Sequence, residues 1–271
     1  MKRYDYIYLS PHYDDLALSC GGTIHRQTQA GRSVLGVTIC AAPPSDTRLS
    51  AFAEAMHQNW GNPADAVALR RAEDKVALKI LGADYRRFPF VDCIYRGKPE
   101  AGIWYYNSDP DIFGDIHPDD LPLAYHIAAA VIELTPDNSN VVIYAPLTVG
   151  HHVDHQLTYT AAWQLYAQGY SVIFYEDYPY VDPHYPFTRH GVDNGYDLEA
   201  ALAAPRPARL VSELYPISPE NLQAKIKSIG AYASQLQILF GDEAAMTKYV
   251  TAYAAQVGQS NLAERVWAPL R

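Results

Sequence analysis

The sequence has few cysteines, a deficit of basic residues and no long apolar segment, and each shortage argues against a class of protein. Its three cysteines, Cys20, Cys40 and Cys93, are widely spaced and form no Cys-x-x-Cys pair. This argues against both a disulfide framework and a thiolate zinc site. Because 21 basic residues face 30 acidic ones, the formal charge is −9. Nonspecific nucleic-acid binding needs a basic surface and is not expected.

Targeting and membrane-spanning segments are not expected either. No window of the sequence approaches the length of a transmembrane helix, so no membrane span is expected. The first residues lead directly into a short apolar stretch and lack the long apolar region of a signal peptide. Together with the unpaired cysteines, this predicts a cytoplasmic protein. No repeat or low-complexity run divides the chain of 271 residues, and a single domain over 1–271 is expected.

Apolar residues are plentiful, at 49% of the chain, which is enough for a sizeable core. Apolar stretches at 6–9, 33–40, 140–145 and 171–175 predict buried strands. Segments with helical periodicity alternate with them. This alternation predicts an α/β protein with a mostly parallel central sheet and right-handed crossovers.

The other segments are assigned from periodicity and from glycine and proline breaks. A long irregular stretch, 91–118, is expected to be a functional or mobile loop. Residues 181–207 resist assignment, while 209–216 are expected to form a strand. The predicted helices are 16–30, 50–60, 64–81, 119–134, a segment starting at 151 and ending near 168, 222–240 and 243–257.

A polar turn at residues 10–15 follows the first predicted strand and precedes the first predicted helix. Ligands of open α/β sheets bind at the carboxyl ends of strands. Imidazole and carboxylate groups suit zinc and similar divalent metals, and His12 and Asp15 are close enough in the turn to share one ion. Asp14 is then available as a general base. The alternative is a simple turn in which the aspartates cap the helix.

A second polar cluster, residues 151–155, follows the predicted strand at 140–145. His152 and His155 lie three positions apart, so they share one face of a helix that begins there. One can bind a metal while the other faces a substrate; a surface histidine patch is the alternative. Two histidines and one aspartate leave an open coordination position. This is typical of catalytic zinc, where the pKa of bound water falls to about 7.

Both clusters resemble the signature motifs of one known family. Ser10-Pro11-His12-Tyr13-Asp14-Asp15 with Gly21-Gly22, and His152-Val153-Asp154-His155, are similar to the motifs of the LmbE-like / PIG-L family. Its members are metal-dependent de-N-acetylases of N-acetylglucosamine derivatives. The resemblance covers 6–180 and implies a Rossmann-like three-layer sandwich with helices on both faces. It also implies that 1–180 forms the core and that 181–271 is the variable part of the same domain.

The resemblance implies a role for each residue of the two motifs. His12, Asp15 and His155 correspond to the zinc ligands, and Asp14 corresponds to the general base. His152 corresponds to the histidine that stabilises the oxyanion or protonates the leaving amine.

Residues next to the motifs are expected to support the site. Asp154 is expected to orient His155 or His152 without binding the metal itself. The aromatic hydroxyl that some relatives aim at the oxyanion is not assigned to a residue of this sequence. His151 is the candidate to replace it.

Substrate contacts are expected from three further places. Arg70 matches the arginine of an Arg-x-x-Glu pattern on a helix of the family, although Arg71 could take that place. Asp92 lies where the family often has an aspartate that faces the substrate. Glu176 and Asp177 follow the strand at 171–175 and are candidate hydrogen-bonding partners for the substrate.

The sequence therefore predicts a zinc-dependent hydrolase. It would remove an N-acetyl or related acyl group from a small molecule or glycoconjugate that contains N-acetylglucosamine. Fe²⁺ or another divalent metal is left open, as is a homo-oligomer. A non-haem Fe(II) oxygenase, which also uses two histidines and one carboxylate, is an alternative. An inactive metal- or sugar-binding relative is another, since Tyr13 and Leu16 replace the usual proline and glutamate of the motif.

Overall fold

A seven-stranded sheet lies at the centre of the protein and positions both polar motifs. The computed structural model describes residues 2–44, 46–61, 65–135, 140–186 and 197–270. In that part of the chain the strands are β1 (Tyr6–Ser10), β2 (Val34–Thr38), β3 (Asp84–Arg87), β4 (Gly97–Lys98), β5 (Ile103–Trp104), β6 (Val142–Pro146), β7 (Ser171–Tyr175), β8 (Leu210–Pro216) and β9 (Ala263–Pro269). The order in the large sheet is β3-β2-β1-β6-β7-β9-β8, and β4 pairs only with β5 among these strands.

The first five strands of the large sheet run parallel, which confirms the predicted mostly parallel architecture. Tyr6 of β1 pairs in parallel with Val34 of β2 and with Val142 of β6. Strand β9 is antiparallel to β7, and β8 is antiparallel to β9. Because β1 and β6 are parallel neighbours in this register, the loops that follow them emerge side by side at one edge of the sheet.

Helices cover both faces of the sheet. They are α1 (Asp15–Gln29), α2 (Ala51–Asn59), α3 (Ala66–Ile80), α4 (Asp109–Ile112), α5 (Leu123–Leu134), α6 (Val153–Ala167), α7 (Leu198–Ala203), α8 (Pro219–Gly230), α9 (Ala233–Phe240) and α10 (Glu243–Val257). None of the helices in the described ranges is long and apolar enough to cross a membrane.

The alternation of side chains along β1 explains the layers. Ile7 and Leu9 point into an apolar core shared with α5 and α6. Tyr8 points to the opposite face, where its ring stacks on Tyr144 of β6 at 4.2 Å and packs with Leu16 of α1. Successive residues of a strand face opposite sides of a sheet, so this strand contributes to both cores.

The C-terminal part differs from the prediction in two respects. The helix predicted over 222–240 is two helices, α8 and α9, which Tyr232 separates. The buried hydroxyl of Tyr232 donates to the backbone oxygen of Tyr13. Strand β9 was not predicted, and it lies between β7 and β8. The predicted strand 209–216 is confirmed as β8. The single domain over 1–271 stays a prediction.

The segment predicted as an irregular loop, 91–118, consists of short elements. It contains β4, β5, α4 and turns of 3₁₀-helix at Cys93–Tyr95 and Pro99–Ala101. In the unassigned stretch 181–207, α7 is present, and 187–196 lie outside the described residues. Residue 64, the predicted start of α3, also lies outside them.

Candidate active site

The two polar motifs meet at the carboxyl ends of β1 and β6. The loop after β1 carries His12, and the loop after β6 carries His152, the residue that caps the start of α6. The ring centres of His12 and His152 are 4.7 Å apart, and those of His12 and His155 are 5.5 Å apart. The three rings can each place one nitrogen within 4.8 Å of the others. The predicted association of the two motifs is thus present in the fold.

Hydrogen bonds distinguish the two nitrogens of His12. Its Nε2 lies 2.9 Å from Asp154 Oδ2, so this nitrogen carries the proton that the carboxylate accepts. Its Nδ1 lies 3.7 Å from Asp15 Oδ2. The lone pair of His12 therefore faces Asp15, as a metal ligand requires.

His155 makes the same two kinds of contact as His12, but with the roles of its two ring nitrogens exchanged. Its Nδ1 lies 2.6 Å from Asp177 Oδ1, while its Nε2 lies 3.5 Å from Asp15 Oδ1. Asp177 therefore accepts a hydrogen bond from the Nδ1–H group, and Nε2 faces the same carboxylate that His12 Nδ1 faces. Burial alone would lower the pKa of His155, but Asp15 and Asp177 outweigh it and raise that pKa to about 10.

Asp15 lies between His12 Nδ1 and His155 Nε2. Its Oδ2 accepts a 2.7 Å hydrogen bond from the backbone N–H of His12. Burial raises the pKa of this carboxyl, but His155 and His12 hold it well below its usual range. An ionised carboxylate with two imidazole nitrogens is a donor set that suits Zn²⁺, Fe²⁺ and similar divalent ions, which displace any proton from the binding nitrogens. The residues present therefore fit a divalent metal.

His152 differs from the other two histidines in its tautomer. Its Nδ1 accepts a 3.2 Å hydrogen bond from the backbone N–H of Asp154 and caps α6. In the neutral ring the proton is therefore on Nε2, which lies 3.9 Å from Cys93 Sγ. Burial, together with His12, lowers the pKa of His152 well below its ordinary value. His152 thus presents a hydrogen-bond donor rather than a lone pair.

Asp14 is buried beside the histidines and pairs with Arg70. Arg70 Nη2 donates to Asp14 Oδ1 at 3.1 Å. Burial raises the pKa of Asp14, and Arg70 opposes this increase. The guanidinium of Arg70 lies 4.7 Å from the ring centre of Trp60 and 5.5 Å from that of Tyr13. These contacts hold Arg70 beside the carboxylate.

The structure distinguishes Arg70 from Arg71. Arg70 lines the cavity, whereas Arg71 donates to the backbone oxygen of Ala41 at 2.6 Å. Glu73, the acidic residue of the Arg-x-x-Glu pattern, binds the backbone N–H and hydroxyl of Ser234 on α9. The pattern therefore supplies one cavity residue and one link between α3 and α9.

A cavity of about 190 Å³ opens beside these groups. Its polar end contains His12, Asp14, Asp15, Arg70, Asp92 and His152. Asp92 Oδ2 lies 3.7 Å from His12 Nε2. Apolar side chains form much of the remaining wall, including Trp60, Phe113, Tyr180, Ile238 and Leu239. A mostly apolar cavity with a few convergent polar groups is typical of a site for a small molecule.

Glu176 and Asp177, two of the predicted substrate contacts, do not line this cavity. Glu176 instead binds Arg265, Tyr253 and Trp267. Asp177 contacts His155 and the backbone N–H of Val149. The interpretation of these two acids as substrate partners is corrected, because their carboxylates are buried against protein groups.

His151 and Asp154 also differ from expectation. His151 Nε2 lies 3.8 Å from Asp115 Oδ1, and the residue does not line the cavity. The carboxylate of Asp154 contacts His12 rather than His152 or His155. Only its backbone N–H reaches His152, because α6 begins at this point and its first N–H groups are available to a capping side chain.

The role of Asp177 leads to a prediction about metal affinity. Replacing Asp177 with asparagine is expected to raise the Zn²⁺ dissociation constant by about 10–100-fold, because the tautomer and orientation of His155 lose their charged partner. Chelator competition measures this constant. Glu176→Gln is the matched control, since it removes the charge of the adjacent buried carboxylate that contacts none of the site histidines. Equal Zn²⁺ affinity in the Asp177 variant and the wild type would contradict the assignment.

The chain is similar to known proteins over much of its length. The family model "PIG-L: GlcNAc-PI de-N-acetylase" matches residues 7–166. A 2′-N-acetylparomamine deacetylase of Niallia circulans is 26% identical over 253 residues, which cover 88% of this chain and 83% of the relative. The corresponding enzyme of Streptomyces fradiae is 28% identical over 246 residues, covering 87% and 75%.

A similar fold is found in a solved structure. The zinc-inhibited form of the teicoplanin deacetylase Orf2 superposes with a TM-score of 0.80 at 26% identity, and the match covers 98% of each chain. Its fold is therefore shared along nearly the whole length of this chain, including the C-terminal part.

Proposed function

The chain belongs to the GlcNAc-PI de-N-acetylase (PIG-L) family and is an N-deacetylase, and on that premise we propose that it hydrolyses the N-acetyl group of an N-acetylated amino sugar through a bound divalent metal. The observation that carries the proposal is the convergence of His12 Nδ1 and His155 Nε2 on the carboxylate of Asp15. We assign these three residues as metal ligands and Zn²⁺ as the ion.

The metal would supply one part of the chemistry. When bound, a divalent ion polarises a carbonyl oxygen and lowers the pKa of water, which makes water a nucleophile near neutral pH. The side chains of the chain supply the proton transfers and the other contacts with the reacting groups.

Asp14 is the general base in this proposal. Its carboxylate accepts a proton from the attacking water and then returns it to the nitrogen of the departing amine. Water thus gives its hydroxyl to the acetyl carbon, the C–N bond breaks, and acetate and the free amine leave. Burial raises the pKa of Asp14, which brings a carboxylate closer to the range in which proton transfer is efficient.

His152 is the electrophilic partner. Its Nε2–H is available to donate to the oxyanion that develops on the acetyl oxygen. One such donor is worth about 3 kcal/mol of transition-state stabilisation. In this proposal His152 stabilises the oxyanion, and Asp14 donates the proton to the leaving amine.

The substrate is proposed to be an amino sugar within a small molecule or glycoconjugate. The relatives support this class, since their names specify paromamine and teicoplanin deacetylation. Arg70 and Asp92, at the polar end of the cavity, are the proposed partners of the sugar hydroxyl groups.

The function is tested by acetate release from a panel of N-acetylated amino sugars and glycosides. The panel includes N-acetylglucosamine, N-acetylglucosaminyl glycosides and N-acetylated aminoglycosides. Metal-loaded wild-type protein is expected to release acetate from at least one member, and Asp14→Ala protein of equal metal content is not.

Binding of panel members without acetate release would favour a metal- or sugar-binding protein. Oxygen uptake with a 2-oxoacid would favour the iron oxygenase, whose ligand set is the same. Equal release by the wild type and the Asp14 variant would contradict the role of Asp14.

A further inference from the structure

Arg96 is a buried cation that two carboxylates share. Its Nε lies 2.7 Å from Asp120 Oδ2, and its Nη1 lies 2.5 Å from Asp154 Oδ1. All three side chains are buried. Removing one member of a buried charge set is strongly unfavourable, because the remaining charges lose their compensation. The arginine therefore controls whether Asp154 can be accommodated as an anion in this position.

The two oxygens of Asp154 have separate partners. Oδ1 faces Arg96, whereas Oδ2 lies 2.9 Å from His12 Nε2 and accepts a 3.1 Å hydrogen bond from the backbone N–H of Cys93. A rotation of the carboxylate would break both sets of contacts. The position of Arg96 thus determines which oxygen is presented to His12.

We infer that Arg96 is a positioning residue of the metal centre, which acts through Asp154 to hold His12 with its Nδ1 lone pair toward Asp15. The inference rests on the proposed metal site. Arg96 does not line the cavity, so its effect on catalysis passes through the carboxylate rather than through a substrate contact.

The same arginine supports one wall of the cavity. Its Nη1 donates to the backbone oxygen of Val91 at 3.1 Å, next to Asp92 in the cavity wall. Asp120 also accepts a 2.9 Å hydrogen bond from the hydroxyl of Tyr106. Arg96 therefore connects the segment that carries Asp92 with the Asp154 carboxylate that orients His12. One residue thus supports both the proposed metal site and the wall of the cavity.

The test is a double-mutant cycle on Zn²⁺ affinity. The variants are Arg96→Met, Asp154→Asn and the double variant, each measured by chelator competition on the full chain. We expect Arg96→Met to raise the Zn²⁺ dissociation constant by about tenfold, the lower end of the effect of losing an outer-shell partner. Because both residues act through one contact with His12, the double variant is expected to be no worse than Asp154→Asn alone.

A second readout separates positioning from general destabilisation. The absorption spectrum of the Co²⁺-loaded protein reports the coordination of the ion, and it is expected to change in Arg96→Met. Arg87→Met is the matched control, because it removes an arginine that pairs with Asp74 at 3.2 Å and does not reach His12. That control is expected to retain wild-type Zn²⁺ affinity and the wild-type Co²⁺ spectrum.

Three results would contradict the positioning role of Arg96. Wild-type affinity in Arg96→Met, additive losses in the double variant, or an equal loss in Arg87→Met would each overturn the inference. If Arg96→Met does not fold, Arg96→Lys replaces it in the cycle, since it keeps the charge but lacks the fork that reaches both carboxylates. Wild-type protein that binds no Zn²⁺ would instead overturn the proposed metal site and with it this role.

Discussion

Asparagine at position 14 is expected to lower kcat by about 10²–10⁴-fold, the usual contribution of a positioned acid–base group, while the metal content stays at the wild-type level. Asparagine preserves the shape of the side chain, and its amide oxygen can still accept the hydrogen bond from Arg70. It cannot take a proton from water. The lost interaction belongs to the transition state, so kcat and kcat/KM should fall together.

Two measurements are needed for this test. Acetate release at saturating substrate gives kcat, and elemental analysis gives the metal content per chain. Asp119→Asn provides the control, because Asp119 is exposed and pairs with Lys98 at the surface, so the change in charge is the same without a change in the site. Wild-type kcat in the Asp14 variant would remove Asp14 from the proton transfers.

Alanine at position 15 is expected to raise the Zn²⁺ dissociation constant more than about 100-fold. Loss of a residue that only orients a metal ligand costs about 10–100-fold, and Asp15 is itself a proposed ligand. Asp15 lies within 3.7 Å of His12 Nδ1 and within 3.5 Å of His155 Nε2. Its removal takes away both a proposed ligand and the negative charge between the two imidazoles. Protein purified from this variant should contain little metal and release no acetate.

Reversible metal removal from the wild type is the companion experiment. A chelator should abolish acetate release, and added Zn²⁺ should restore it, whereas the Asp15 variant should not recover at the same Zn²⁺ concentration. Thermal unfolding of the metal-free proteins checks that the variant is folded. Full metal occupancy in Asp15→Ala would contradict the ligand assignment, independently of the result for Asp14.

These two variants separate two contributions of adjacent residues. Asp14 and Asp15 are neighbours in the chain, but Asp15 begins α1 and faces the two histidines, whereas Asp14 precedes the helix and faces Arg70. A variant that retains metal without turnover and one that loses metal would together distinguish proton transfer from metal binding.

The sequence by itself was sufficient for the parallel sheet and for the association of the motifs. Apolar runs with helical segments between them predict parallel strands, and polar residues directly after two such strands must emerge at one edge. His12, Asp14 and Asp15, at the turn from β1 into α1, therefore meet His152 and His155, at the start of α6, whatever the details of packing. Local chain geometry determines this part of the site.

Tertiary structure alone decided the partners of these residues. Asp154 contacts His12 across 142 positions, and Asp177 contacts His155 across 22. Both contacts depend on how α6 and the loop after β7 pack at the edge of the sheet. A carboxylate at a strand end has the same sequence signature whether it faces a substrate or a histidine, so Asp177 was predicted to bind substrate.

The histidine tautomers and the role of Arg96 were also beyond the sequence. Which nitrogen of His12, His152 or His155 carries the proton follows from the hydrogen bond that its other nitrogen makes. Arg96 lies within a segment of weak periodicity, and only its burial between Asp120 and Asp154 reveals a connection to the metal centre. Motif spacing determines which groups assemble, whereas long-range packing determines their orientation and protonation, because those depend on neighbours that are distant in the chain.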